Sequence, residues 1–332
     1  MKRAAFAGGT LAAFGSIAVV RSAASAAQFE YKYAHNLPVS HPLHVRTVQM
    51  WHAVREQTGG RLDVKIFPNN QLGNDPATLG QLRTGAVQFF TLSGGLLGSV
   101  IPVAQIENVG FAFKNADAAF AALDGPLGAY LRDEMKARGL IGMDRMWDNG
   151  MRQITTSTQP IRDVADLAGF KIRTPPGALW VDLFKTLGAS PTPIPGAELY
   201  PALQTHVVDG QENALAGIEA TRLYEVQKFL TISNHMWAGY WMIANADAWK
   251  ALPEDIQRIV ARNNTRFARL QRRDVRFLNE SLTDKLARRG LTVNTVEPAG
   301  FRAKLGPFYA KWKAEFGERA WSMLESTTGK LA

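Results

Sequence analysis

Alternating apolar segments separated by helical ones recur twice along this chain, and that rhythm narrows the fold more than any other feature. Phe29, Tyr31 and Tyr33 alternate with Glu30, Lys32 and Ala34, the period-two pattern of a strand. Pro42 then opens a helix capped by Ser40 or His41, with Val45, Val48, Trp51 and Val54 predicted on its inward face. Gly59-Gly60 ends it. Leu62, Val64 and Ile66 alternate again. Pro68 to Asp75 reads as a loop, Pro76 to Thr84 as a short helix, and Val87 to Leu92 as a third strand. Strand and helix in alternation require a largely parallel sheet. The rhythm restarts with strands at Gly139 to Met146, around Ile154 and at Phe170 to Arg173, and with helices near Ala178 to Leu187 and Glu198 to Thr205. From Pro253 a helical stretch continues to Arg289, longer than most globular helices and long enough to brace two lobes. Leu291-Thr292-Val293 reads as a late strand before a helical C-terminus. The expected fold class is α/β, with two lobes and a central cleft, because ligands of such folds bind where the carboxyl ends of strands face a crevice.

The N-terminus sets the compartment. Lys2 and Arg3 precede an apolar and small-residue stretch from Ala4 to Val20, then Ala24-Ser25-Ala26-Ala27, with no acid before Glu30. This is the three-part layout of a secretory leader, so residues 1–27 are expected to be a signal peptide, with the mature chain starting near Gln28. Its removal takes away Lys2, Arg3 and Arg21, and the formal charge falls from +9 to +6. The remaining positive charge is scattered, apart from Arg272-Arg273 and Arg288-Arg289 on helical ground, and reads as solvated surface rather than as a nucleic-acid face. No later segment reaches the roughly 18 unbroken apolar residues of a membrane helix. The chain has no cysteine, which excludes disulfides, thiolate metal sites and cysteine nucleophiles.

Signatures of catalysis are missing: no Gly-x-Ser-x-Gly, no His-Glu-x-x-His and no phosphate-binding Gly-x-x-x-x-Gly-Lys. His35, His41, His44 and His52 crowd one stretch, but His44 and His52 stand over two helical turns apart, so capping and surface roles are expected rather than a metal site. Two arginines are notable by position. Arg152 follows Asp148-Asn149-Gly150-Met151, and Arg173 ends a short apolar strand before Thr174-Pro175-Pro176-Gly177. A guanidinium at a strand end presents a planar fork suited to a carboxylate, its own or a ligand's. Asp209-Gly210-Gln211-Glu212-Asn213 reads either as a source of ligand-binding amides or as a capped turn. Trp237, Tyr240 and Trp241 read either as pocket lining or as core.

Several segments together resemble the solute-binding proteins of TRAP transporters (tripartite ATP-independent periplasmic), of the DctP type. They are Tyr33-Ala34-His35-Asn36, Gln71-Leu72-Gly73, Asn149-Gly150-Met151-Arg152 and Gly169-Phe170-Lys171-Ile172-Arg173-Thr174-Pro175. Gly188 to Pro193, Leu199 to Thr205, Val208 to Asn213, Tyr224 to Lys228 and Leu252 to Asp255 continue the match in order. The resemblance implies two α/β lobes, residues 28–149 plus 239–278 and residues 150–238 plus 279–332, joined by hinge strands and a long spanning helix and closing on a ligand. It implies a periplasmic location, no catalysis, no cofactor and no metal. The implied partners are a small organic acid and the small and large membrane subunits of the transporter, with the chain itself a monomer. By the same resemblance Arg173 pairs with the ligand carboxylate, Arg152 supports it, and Asn213 and Asn36 bond its other polar groups. Ser93, Trp237 and Tyr240 complete the candidate ligand-binding set. Sialic-acid-binding members have a glutamate in the region that here reads Thr91-Leu92-Ser93-Gly94-Gly95, and a phenylalanine where this chain has Gly196. The expected ligand is therefore a small acid with an apolar or aromatic body, or a short dicarboxylate. A ligand-sensing subunit or a periplasmic enzyme on the same scaffold is the rival.

Overall fold

The computed structural model describes residues 27–331, so the leader reading lies outside the described residues except for Ala27. In chain order the first half comprises β1 (Phe29–His35), α1 (Pro42–Gln57), β2 (Leu62–Phe67), α2 (Asp75–Thr84), β3 (Phe89–Leu92), the single turn α3 (Gly94–Leu97), α4 (Ala116–Leu123), α5 (Pro126–Lys136), β4 (Leu140–Gly142) and β5 (Trp147–Thr156). The second comprises β6 (Lys171–Thr174), α6 (Ala178–Thr186), β7 (Ser190–Pro193), α7 (Leu199–Gln204), β8 (Gly210–Ala214), α8 (Leu215–Ala220), β9 (Phe229–Asn245), α9 (Ala246–Ala251), α10 (Glu254–Arg288) and β10 (Thr292–Thr295). Helices α11 (Pro298–Arg302), α12 (Gly306–Phe316) and α13 (Glu318–Thr328) close it.

The strand order is β2-β1-β3-β9-β5-β8-β6-β7, with β4 and β10 also on β9. β1 runs parallel to β2 and β3, and β6 runs parallel to β7 and β8. These are the two parallel units that the alternating rhythm requires. They are joined by β9, which has 17 residues and so reaches roughly 55 Å. Its first part pairs with β5 and β10, its last part antiparallel with β3 and β4. β5 runs antiparallel to β9 and β8, and its register on β9 shifts between Asp148 and Gly150 and again between Arg152 and Ile154. Gly150 stands at the first shift with φ +104°, a left-handed backbone that a side chain would strain.

Helix α10 has 35 residues, roughly 52 Å of axis, as the long stretch predicted. Asp274 pairs with Arg46 and Asn263 with Gln57 on α1, while Lys285 pairs with Glu219 on α8, 2.7 Å apart, so the helix contacts both units. Midway, the buried Gln271 accepts from the Asp148 amide at 2.8 Å and donates to its carbonyl at 2.7 Å, seizing β5 where it crosses. Asp124 receives both terminal nitrogens of Arg272 at 2.7 and 2.8 Å. No helix among the described residues is long and apolar enough to cross a membrane.

Two local expectations are corrected. His41 caps α1, as one of the two alternatives, but the buried face is Leu43, Thr47, Met50, Trp51 and Val54, while Val45 and Val48 are exposed. At about 100° per residue Val45 falls opposite Val54. Asp209 to Asn213 forms no capped turn; residues 210–214 are β8, between β5 and β6. Among the C-terminal helices, α13 rests on α4 and α5, and α12 touches both Pro102–Asn108 and α6. Replacing Leu43 by alanine should therefore cost about 2–5 kcal/mol of stability. Replacing Val45 should change it by less than about 0.5 kcal/mol. Urea denaturation of both variants measures the difference, and equal losses would refute the assigned face.

Candidate ligand-binding cleft

Between the two parallel units lies a cleft enclosing about 800 Å³, part of it open to solvent. Each strand unit contributes from its carboxyl ends, because the residue that leaves a strand there is aimed at the crevice. Asn36 follows β1, Ser93 follows β3, Arg173 sits near the end of β6 and Asn213 near the end of β8.

Arg173 is 4% exposed. Its Nε donates to the Ile194 carbonyl at 2.8 Å, and among the described residues its two terminal nitrogens have no hydrogen-bond partner and it forms no ion pair. Burial lowers its guanidinium to about 10, with Glu212 and Asp75 pulling the other way, so it stays a cation at neutral pH. Arg152 is equally buried but is already engaged. Its Nε and one terminal nitrogen grip the Glu212 carboxylate, and that nitrogen also reaches the Glu212 carbonyl at 2.9 Å. His235 places Nε2 3.2 Å from the same carboxylate and Nδ1 2.8 Å from the Ser233 hydroxyl. Burial pushes the Glu212 carboxyl up, but Arg152 and His235 together outweigh it and hold the group below its ordinary value. Of the two arginines, then, one serves a protein carboxylate and the other is open to a ligand.

Other expected residues divide in the same way. Asn36, Ser93, Asn213 and Tyr240 line the cleft. Ser93 is drawn toward Glu107, 3.4 Å away, and Asn213 accepts from the Ala214 amide at 2.9 Å. Trp237 does not line it. It is buried with Nε1 on Asp148, 3.0 Å away, and its ring meets Phe113 and Phe120 edge-on. Residues 237 and 240 are an odd number apart on β9, so they face opposite sides of the sheet and only one can reach the cleft. The histidines disperse: His41 caps α1, His35 and His44 bond each other at 3.0 Å, and His52 lies on the surface beside Glu56.

The cleft also holds residues that sequence reasoning passed over. Asp75, in the first turn of α2, accepts from the Asn36 amide at 3.1 Å. Asn149, on β5, also lines it. Trp180, from α6, packs against Arg152 with the guanidinium 5.7 Å from its ring centre. It fits because residue 95 is glycine: a Cβ there would come within 2.0 Å of the indole. The Gly94-Gly95 pair was the visible signal for that close approach.

Residues 33–315 match the family described as DctP, bacterial extracellular solute-binding protein, family 7. The chain belongs to this family. The 2,3-diketo-L-gulonate-binding periplasmic protein YiaO of Escherichia coli is 29% identical over 82% of this chain and 83% of its own length. Protein y4mM of Sinorhizobium fredii is 36% identical over 68% of this chain, which spans only 42% of that protein. Among solved structures, the sugar acid binding protein DctPAm of Advenella mimigardefordensis, in complex with galactonate, superposes with a TM-score of 0.88 at 29% identity, covering 92% of this chain and 100% of that one. The chain is thus a TRAP-type solute-binding protein with the two-lobe α/β fold, and the family binds organic acids for the membrane subunits of TRAP transporters. It is an extracytoplasmic family of binding proteins rather than enzymes.

The Glu212 network yields a stability test. A carboxyl with a lowered folded-state pKa contributes stability that is complete above its unfolded value and lost as pH falls through the folded one. Glu212→Gln should destabilise the protein by about 3–5 kcal/mol at pH 7 by leaving Arg152 unpaired. The gap to the parent should narrow below about pH 4. Urea unfolding at both pH values reads it, and a gap constant with pH would refute an ionised Glu212.

Proposed function

We propose that this protein is exported, captures a small hydroxylated organic acid in its cleft, and delivers it to a TRAP-type transporter without turning it over. The observation that carries this reading is Arg173, a buried cation with two nitrogens that no group among the described residues satisfies. A ligand carboxylate supplies both acceptors in one planar contact. Arg152, held rigid by Glu212, adds field rather than a second fork. The unmatched acceptors speak for hydroxyls: the side-chain oxygens of Asn36 and Asn149 are buried without a partner. A bare carboxylate offers them no donor, whereas hydroxyls do. The acids named for DctPAm and YiaO, galactonate and 2,3-diketo-L-gulonate, are hydroxylated monocarboxylates. Tyr240 and Trp180 give such a chain an apolar floor. Closure about β5 and β9, with Gly150 at the register shift, exchanges water around the ion pair for protein and strengthens it. Residues 1–27 direct export and are removed.

The experiment is thermal unfolding against sugar acids, short dicarboxylates, 2-oxo acids and aromatic acids. A true ligand at a hundredfold excess over its dissociation constant adds about 2.7 kcal/mol. Sugar acids are expected to raise the midpoint. Arg173→Ala is expected to weaken binding by about 2–5 kcal/mol, and Arg173→Lys is expected to restore only part of it, since an ammonium makes no planar fork. Wild-type affinity in Arg173→Ala would remove the clamp. A shift confined to dicarboxylates would replace the hydroxylated acid by the short dicarboxylate.

A further inference from the structure

We infer that capture of the acid takes up one proton at Asp75, whose neutral carboxyl then donates a hydrogen bond to the bound ligand, so that the cleft is matched to monoanions. This rests on the carboxylate reading of the cleft given above.

Three charged residues line the cleft: Asp75, Arg152 and Arg173. Behind Arg152 stands Glu212. With all four ionised the empty site is neutral. A monoanion on Arg173 leaves it with one negative charge too many, in a place largely closed to water. A proton on Asp75 removes the excess. The geometry provides for it: Asp75 is 4% exposed, Oδ2 accepts from Asn36, and Oδ1 is buried with no partner among the described residues. An ionised oxygen in that position is costly, while a hydroxyl there has the ligand to donate to. The proton comes from solvent to Oδ1, and no bond of the ligand changes.

The other groups around Asp75 keep their charge state near neutral pH. Arg173 from β6 remains a cation, and Glu212 from β8, beside Arg152 of β5, remains ionised. Tyr240 from β9 is pushed up by burial and stays neutral. His35 at the end of β1 and His41 at the start of α1 are lowered to about 3 by burial, and His44 and His235 are lowered as well. β3 and α3, which also pack on α2, carry no charged side chain. Asp75 itself is raised to about 6 by burial, against the pull of Asn36 and Arg173. The complex binds more protons than the free protein, so affinity falls as pH rises above that value.

Isothermal titration calorimetry with D-galactonate tests it. At pH 7.5 the apparent enthalpies in phosphate and in Tris should differ by close to the full difference between the two buffers' ionisation heats, the mark of about one proton taken up. The dissociation constant should rise about tenfold per pH unit between pH 7 and 8.5. Asp75→Asn should remove both dependences and bind more tightly than the parent at pH 8.5. Galactarate, the same carbon chain with a second carboxylate, should bind the parent at least about tenfold more weakly. Binding of galactonate with no proton uptake and a flat pH profile overturns the proposal and leaves the carboxylate clamp standing. Proton uptake that persists in Asp75→Asn overturns the assignment to this residue. If galactonate and the rest of the acid panel fail to bind the parent, the carboxylate reading falls and the proposal falls with it. The buffer comparison on the parent protein stands even if the variant does not fold.

Discussion

A carboxylate sealed from water must find compensation on the spot, and Glu212 dictates how the centre of this molecule is assembled. Its charge calls in Arg152 from β5 and His235 from β9, so three neighbouring strands are tied through one oxygen pair. That tie fixes which arginine is available. Arg152 lines the cleft with its Nε and one terminal nitrogen committed to Glu212, and Arg173, one strand further on β6, faces it with both terminal nitrogens to spare. The division of labour between two similar side chains follows from the position of a single acid.

The same centre is where the chain crosses between its units. β5, β9 and α10 all pass there, and they are bound to one another by polar contacts of buried residues rather than by apolar packing alone. Gln271 grips both backbone groups of Asp148, and Asn264 accepts from the Trp147 indole at 2.8 Å. Directional bonds of this kind set the strands' placement more sharply than interdigitated methyl groups do. Gly150 and the register shifts interrupt the pairing of β5 with β9 beside that fixed point.

Much of this was legible in the sequence. The two parallel units, the long helix and the placing of Arg173 at a strand end came from periodicity. What periodicity could not resolve lay where both faces of a strand are buried. The run from Met236 to Ala244 is apolar on both sides, so no alternation distinguishes Trp237 in the core from Tyr240 at the cleft. Asp75 was hidden for a different reason: an acid in the first turn of a helix has an ordinary explanation in the helix dipole, and only the fold reveals that it lines the same cleft as Arg173. Nothing in the spacing around Trp180 marked it, because its close approach depends on Gly95, far away in the chain. The Lys-Ile-Arg-Thr-Pro segment pointed to Arg173, which lines the cleft. It could not tell that Arg152 also pairs with Glu212, because that acid comes from β8, far along the chain.

The path of β9 bears on how the chain comes into being. β3 has β1 on one side, but its other edge is filled only by the end of β9, where Phe89 meets Ala244. A growing chain therefore carries an open sheet edge until residue 245 has been made, and the contacts that close it are among the most distant in sequence. Such topologies fold slowly. The architecture that joins the two units thus also delays their completion.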